Sequence, residues 1–169
     1  MADGIGEGSP TTNGKQHHYS VEVRWTGNLG EGTRSYQAYA RTHDINSGRK
    51  PTIAGSSDPA FRGKDDRWNP EDLLVAAVSA CHKLWYLHLC AVAGVNVVAY
   101  VDHAEGTMIE DAARGGYFSG VTLRPEVTVT PDSDTAKAAA LHHDAHEKCF
   151  IANSLNFAIV CEPTIKRQA

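Results

Sequence analysis

No Cys-x-x-Cys pair, no His-Glu-x-x-His stretch and no Gly-Lys-Ser/Thr ending to a glycine-rich turn occurs in these 169 residues. The commonest zinc-ribbon, zinc-protease and phosphate-loop signatures are therefore missing. An excess of one charge is lacking too: 16 lysines and arginines against 20 aspartates and glutamates leave a formal net charge of −4, which gives no reason to expect nucleic acid or a membrane as partner. There is no internal repeat and no low-complexity run, and 41% hydrophobic content suits one domain with a real core. Residues 1–17 are rich in Gly, Ser and Thr and have no apolar run like that of a secretory signal. A flexible arm is expected there, followed by a single domain over 18–169 in a cytoplasmic setting.

What the chain does have is one long apolar segment between clear stop signals. Asn69 is a preferred N-cap, Pro70 suits the first turn of a helix, Glu71 and Asp72 complement its dipole, and Gly94 suits its end. Between them lie about 24 residues, roughly 36 Å of helix, with apolar side chains such as Leu74, Val78, Leu84, Trp85, Leu89 and Val92 on nearly every face. The length would suit a membrane span, but Glu71, Asp72, Lys83 and two histidines interrupt the run, so the sequence predicts a buried core helix. One sheet covers only one side of such a helix. A second copy of the chain is the simplest cover for the rest, which predicts a two-fold homodimer with the central helices between two sheets.

The remaining elements follow from alternation and turn residues. His18 to Trp25 and Thr33 to Thr42 alternate on either side of Gly27, Asn28, Gly30 and Gly32, the pattern of a β-hairpin, and a short third strand fits Thr52 to Ala54. Val95 to Glu110 and Tyr117 to Thr130 are strand-like, with Pro125 marking an edge or a bulge in the second. Asp132 to Asp134 can cap a second helix over Thr135 to Cys149, and Leu155 to Glu162 forms a last strand. The order β-β-β-α-β-β-α-β is an α+β arrangement.

Four cysteines, Cys81, Cys90, Cys149 and Cys161, are expected as thiols or redox centres in a reducing compartment. Cys81 and Cys90 stand on opposite faces of one helix, roughly 13 Å apart along its axis, beyond disulfide reach. Cys81 sits among Ala76, Ala77, Ser79 and Ala80, so a small molecule approaches its sulfur more easily than it would between leucines. A buried structural cysteine is the competing reading, for Cys149 as well. A zinc site is a third reading, with Cys81 and His88 on one helix and His142, His146 and Cys149 on the other. His82 points about 100° away from Cys81 around the helix and cannot act as its base within one subunit.

The run Asn69-Pro-Glu-Asp-Leu-Leu-Val-Ala-Ala-Val-Ser-Ala-Cys81, followed by His146-Glu-Lys-Cys149 and a final strand, resembles the OsmC/Ohr family of osmotically inducible and organic hydroperoxide resistance proteins over about residues 18–163. The resemblance implies an OsmC-like α+β fold, with antiparallel sheets packed around long central helices in an intertwined homodimer. It also implies reduction of organic hydroperoxides by two cysteines, with no metal or organic cofactor and an external dithiol, commonly a lipoyl group, as reductant. By this likeness Cys81 is the peroxidatic and Cys149 the resolving cysteine, Glu71 is the active-site glutamate, and the activating arginine comes from the N-terminal hairpin. Arg34 fits that arginine by position, with Arg24 and Arg41 as rivals, and Phe150 stands where the family usually has proline. Cys90 and Cys161 match no family catalytic position and are read as structural. Glu71 and Cys81 are ten residues apart, roughly 15 Å along one straight helix, so either the helix breaks or a second subunit completes the site. Outside catalysis, the same fold could serve a noncatalytic dimer that binds a small apolar ligand.

Overall fold

The computed structural model describes residues 14–169, so most of the expected arm, residues 1–13, lies outside the described residues. The long helix, α1, runs unbroken over Pro70–Ala93. Its ends close as the sequence predicts: the Asn69 carboxamide oxygen accepts from the Asp72 N–H at 2.7 Å, and Gly94 takes the left-handed conformation at φ 74°, which costs glycine little. By length and composition it is also the one helix among the described residues that could cross a membrane.

The expected burial of α1 on every face is not met within one chain. Only Val78, His82, Tyr86 and Cys90 are buried, a stripe at every fourth residue. Leu84 and Val92 remain 63% and 74% exposed, because the chain's own sheets and second helix reach only one side.

Six strands form two three-stranded sheets beside α1. They are β4 (Val97–Asp102), β5 (Glu105–Asp111), β6 (Gly115–Leu123), β7 (Pro125–Val129), β8 (Ala158–Cys161) and β9 (Thr164–Arg167). One sheet has the order β4-β7-β9 and the other β5-β6-β8. The second helix, α2 (Thr135–Lys148), is the crossover that lets β8 and β9 pair in parallel with β6 and β7. Its cap is Asp134, whose carboxylate accepts from the N–H groups of Ala136 and Lys137.

Three expected strands therefore need correction. The first two long ones each break in the middle and the chain changes sheet, at His103–Ala104 and at Arg124; the last is shorter than expected and is followed by β9. Pro125 has no N–H for a ladder, and the Arg124 N–H turns aside to the Asp102 carboxylate at 2.7 Å. The breaks lie side by side. The Arg124 guanidinium donates to Glu105 at 2.7 Å and to Glu162 at 3.1 Å, so one side chain laces all three bends.

The N-terminal hairpin exists, but its second strand lies later than expected. Here β1 (Glu22–Trp25), β2 (His43–Asn46) and β3 (Ile53–Gly55) pair antiparallel, with Val23 opposite Ile45. The alternation over Thr33 to Thr42 is absorbed by a folded loop. The Asn28 side chain accepts from the N–H groups of Gly30 and Gly32, and the Arg41 guanidinium lies 4.1 and 4.3 Å from the ring centres of Tyr36 and Tyr39 while donating to both their carbonyls. All four residues of β1 are exposed.

Two apolar clusters hold the rest together, one around Tyr86, Val127, Val129 and Leu141, the other around Val78, Val121 and Leu123. Leu123 is fully buried, so Leu123→Ala is expected to lose about 2–5 kcal/mol of stability in urea unfolding. Asn69→Ala, which removes a cap, is expected to lose about 1 kcal/mol. A Leu123→Ala loss no larger than that of Asn69→Ala would contradict this description of the core.

Candidate functional site

Packing of α1 on α2 brings together the two cysteines singled out in the sequence. Cys81 is half-buried in the middle of α1, and Cys149 is buried just past the last turn of α2. The Cys149 backbone N–H returns to the His146 carbonyl at 3.2 Å, and its sulfur accepts from the Ala152 N–H at 3.5 Å. Burial, helped by the adjacent Cys81 thiol and opposed by the N–H groups of Ala152 and Ile151, pushes the Cys149 thiol up to about 11. Beside the pair, Trp85 meets Phe150 edge-on at 5.5 Å, an aromatic wall whose Phe150 is 68% exposed.

Glu71 and Arg34 are not brought to these thiols within one chain. Because α1 is continuous, the ten residues from Glu71 to Cys81 span about 15 Å. Glu71 instead lines a groove of about 690 Å³ with Val75, Ser79, Lys83, Met108 and Phe118. Arg34 is exposed in the N-terminal loop and faces Glu31 at 3.9 Å. Arg24 pairs with Glu22 at 2.9 Å, and Arg41 is held by its tyrosines. Among the described residues, no arginine side chain forms a hydrogen bond or ion pair with Glu71, Cys81 or Cys149.

A second cluster was missed by the sequence reading. His82 and His142, both buried, meet through Nε2 and Nδ1 at 3.0 Å. Cys161 Sγ lies 3.6 Å from the first nitrogen and 3.7 Å from the second. Of the zinc grouping weighed from the sequence, Cys81 and His88 with His142, His146 and Cys149, only His142 belongs to the set whose ligand atoms converge; its partners there are His82 and Cys161. The missed signal was periodicity: His82 falls on the four-residue stripe with Val78, Tyr86 and Cys90, and His142 falls beside Ala138, Leu141 and Ala145 on the buried face of α2. Tyr86 stacks on the His142 ring at 3.8 Å.

Burial pushes both imidazoles down, His82 to about 4 and His142 to about 3, so both are neutral at neutral pH. The Asp102 carboxylate opposes the shift of His82 and His146 adds to it. Burial first, then Asp102 and Glu162, pushes the Cys161 thiol up to about 12. Asp102 itself accepts from the Ser79 hydroxyl at 2.5 Å.

Comparison with known proteins adds three similar structures and a family model. The model of the OsmC-like proteins matches residues 63–164. An OsmC-like protein of unknown function from Vibrio cholerae is 30% identical, with a TM-score of 0.80 over 88% of this chain and 100% of that one. An organic hydroperoxide resistance protein from Elizabethkingia anophelis is 19% identical, with a TM-score of 0.64 over 91% and 100% of the two chains. One from Bacillus subtilis is 21% identical, with a TM-score of 0.59 over 89% and 98%. The latter two support the α+β fold alone. No curated protein matches the sequence.

The depressed histidines predict a loss of stability in acid. Above the ordinary value of 6.5 both imidazoles are neutral whether the chain is folded or unfolded; below it the unfolded chain binds protons that the folded chain refuses until pH falls to about 4 for His82 and about 3 for His142. Stability should therefore be full above pH 6.5 and fall through that window, by up to about 1.4 kcal/mol per pH unit for each imidazole. Urea midpoints of chelator-treated protein between pH 7.5 and 5, compared with His142→Gln, measure this: the wild type should fall more steeply. Parallel profiles would show that His142 is not buried neutral.

Proposed function

The chain belongs to the OsmC-like protein family, and on that premise we propose that it is a thiol peroxidase that reduces organic hydroperoxides in the cytoplasm. The observation that carries this reading is the meeting of Cys81 and Cys149 from two different helices, one half-exposed to an incoming molecule and the other buried behind it. The names of the Elizabethkingia and Bacillus proteins, organic hydroperoxide resistance proteins, point the same way.

In this mechanism the Cys81 thiolate attacks one oxygen of the peroxide and the O–O bond breaks. The alkoxide leaves with a proton as an alcohol, and Cys81 is oxidised to the sulfenic acid. Cys149 then gives up its proton and attacks the Cys81 sulfur, which expels water and forms the disulfide. An external dithiol of lipoyl type reduces that disulfide by two electrons and restores both thiols. The high pKa of Cys149 keeps it protonated until the sulfenic acid draws it in. A guanidinium beside Cys81 would stabilise the thiolate, and Glu71 would orient it; Arg34 is the candidate, with Arg24 and Arg41 as alternatives. No metal or organic group is needed for these steps. Trp85, Phe150 and Leu84 favour apolar peroxides over hydrogen peroxide.

The same proposal includes a two-fold homodimer. Its support is the uncovered apolar surface of α1, with Leu84 and Val92, together with the exposed β1 carrying Val23 and Trp25. A second copy would cover these faces and would bring a Glu71 and a hairpin arginine to each Cys81. A noncatalytic ligand-binding dimer is the rival reading, favoured by the groove beside Glu71.

Peroxide consumption and thiol mapping separate the two. Cys81→Ser should abolish reduction of an organic hydroperoxide, whereas Cys90→Ser should keep most of it. One equivalent of peroxide should yield a Cys81–Cys149 disulfide in the peptide map. Full turnover by Cys81→Ser would end the peroxidase reading, and a dominant Cys149–Cys161 link would show that the resolving pair is different.

A further inference from the structure

His82, His142 and Cys161 come from three separate elements, α1, α2 and β8, yet their ligand atoms all lie within 4.8 Å of one another. The edges of that triangle are 3.0 Å between the nitrogens and 3.6 and 3.7 Å from nitrogen to sulfur. A tetrahedral zinc ion, with bonds of about 2.05 Å to nitrogen and about 2.3 Å to sulfur, holds its ligand atoms about 3.3 Å apart (N to N) and about 3.6 Å apart (N to S). Two edges match, and the third is short by about 0.3 Å. We propose that His82 Nε2, His142 Nδ1 and Cys161 Sγ form a zinc site, its fourth position facing the cavity beside α2.

The short edge has a geometric cause. The imidazole planes differ by only 9° and their centres are 5.3 Å apart, so the facing nitrogens meet head-on, as two neutral rings do around a shared proton. A zinc ion takes the place of that proton if the rings turn until both lone pairs converge on it, and the same turn lengthens the edge. The Cys161 thiol gives up its proton in the same exchange and binds as thiolate.

Access and charge both fit. A cavity of about 320 Å³ is lined by His142, His143, His146 and Cys161, so it reaches two of the three ligands. His146, one turn beyond His142 and half-buried, stands at its wall and is close enough to His82 to influence its charge; it or a water molecule completes four-coordination. Zinc with one thiolate leaves a single positive charge. The Asp102 carboxylate, whose charge is felt by both His82 and Cys161, offsets it. Asp102 is fixed by the Ser79 hydroxyl and the Arg124 N–H. A copper site of the His₂Cys type would want a long axial thioether, whereas Met108 lines the grooves on the Glu71 side.

None of the three ligands belongs to the proposed redox pair. Even so, His82 adjoins Cys81, and His142 lies two turns before Cys149. A metal joining α1, α2 and β8 would hold the spacing of the two helices that carry the thiols, in a positioning rather than a catalytic role.

The test uses the full-length chain, reduced and stripped with chelator. It should rebind one zinc ion per chain and keep it through desalting, and saturating zinc should raise the melting temperature. Cobalt in its place should give visible d–d bands with thiolate-to-metal charge transfer. Cys161→Ser and His142→Gln, each checked for folding by circular dichroism, should weaken zinc at least about tenfold. The combined Cys81→Ser and Cys149→Ser chain should bind as the wild type does, which keeps the test decisive if a ligand variant fails to fold. Failure of the wild type to retain zinc would overturn the proposal. So would a cobalt spectrum that survives Cys161→Ser but disappears in the Cys81/Cys149 variant, or uptake of copper with refusal of zinc.

Discussion

The continuity of α1 constrains everything else in this molecule. Twenty-four residues without a break fix how far apart the groups they carry must be, and the four-residue stripe Val78, His82, Tyr86 and Cys90 fixes which side meets the rest of the chain. The remaining faces are then left to solvent or to another copy. From that follow the exposed Leu84 and Val92, the separation of Glu71 from Cys81, and the pairing of Cys81 with a cysteine that must come from a different element.

The sheets answer to the same helix. The β4-β7-β9 sheet packs on the Tyr86 end of α1 and the β5-β6-β8 sheet on the Val78 end, and the strands change sheet at three adjacent bends, where Arg124 joins Glu105 and Glu162. Exposed ion pairs contribute little to stability, so their role here is registration: they hold the bends level, and Asp102, at the end of β4, is held by the Arg124 N–H where its charge reaches His82. The buried stripe carries an imidazole at His82, and the partners that meet it, His142 and Cys161, arrive from α2 and β8.

Much of this architecture was legible in the sequence because local signals decide it. Asn69, Gly94 and Asp134 each act within a few residues of themselves, and α1 begins and ends, and α2 begins, where those residues indicate. The misplaced elements are those decided by distant partners. Alternation over Thr33 to Thr42 reads as a strand until Arg41 is seen to stack on Tyr36 and Tyr39, and the break at Arg124 involves the Asp102 carboxylate, 22 residues away in the chain. Among the site residues, the neighbourhood of Cys81 and Cys149 was legible through resemblance. Cys161 was read as structural because it matches no family catalytic position, and nothing adjacent to it in sequence points to two histidines on other elements.

The central proposal is that, with α1 unbroken, a second subunit completes the active site. Mixing Cys81→Ser chains with Glu71→Ala chains, each inactive alone, and measuring organic hydroperoxide reduction tests it most directly. If Glu71 of one subunit serves Cys81 of the other, each heterodimer carries one doubly damaged site and one intact site. With random exchange, activity should return to about a quarter of the wild-type rate, since half the dimers are mixed and each has one working site of two. Persistent inactivity despite verified subunit exchange would contradict the cross-subunit site.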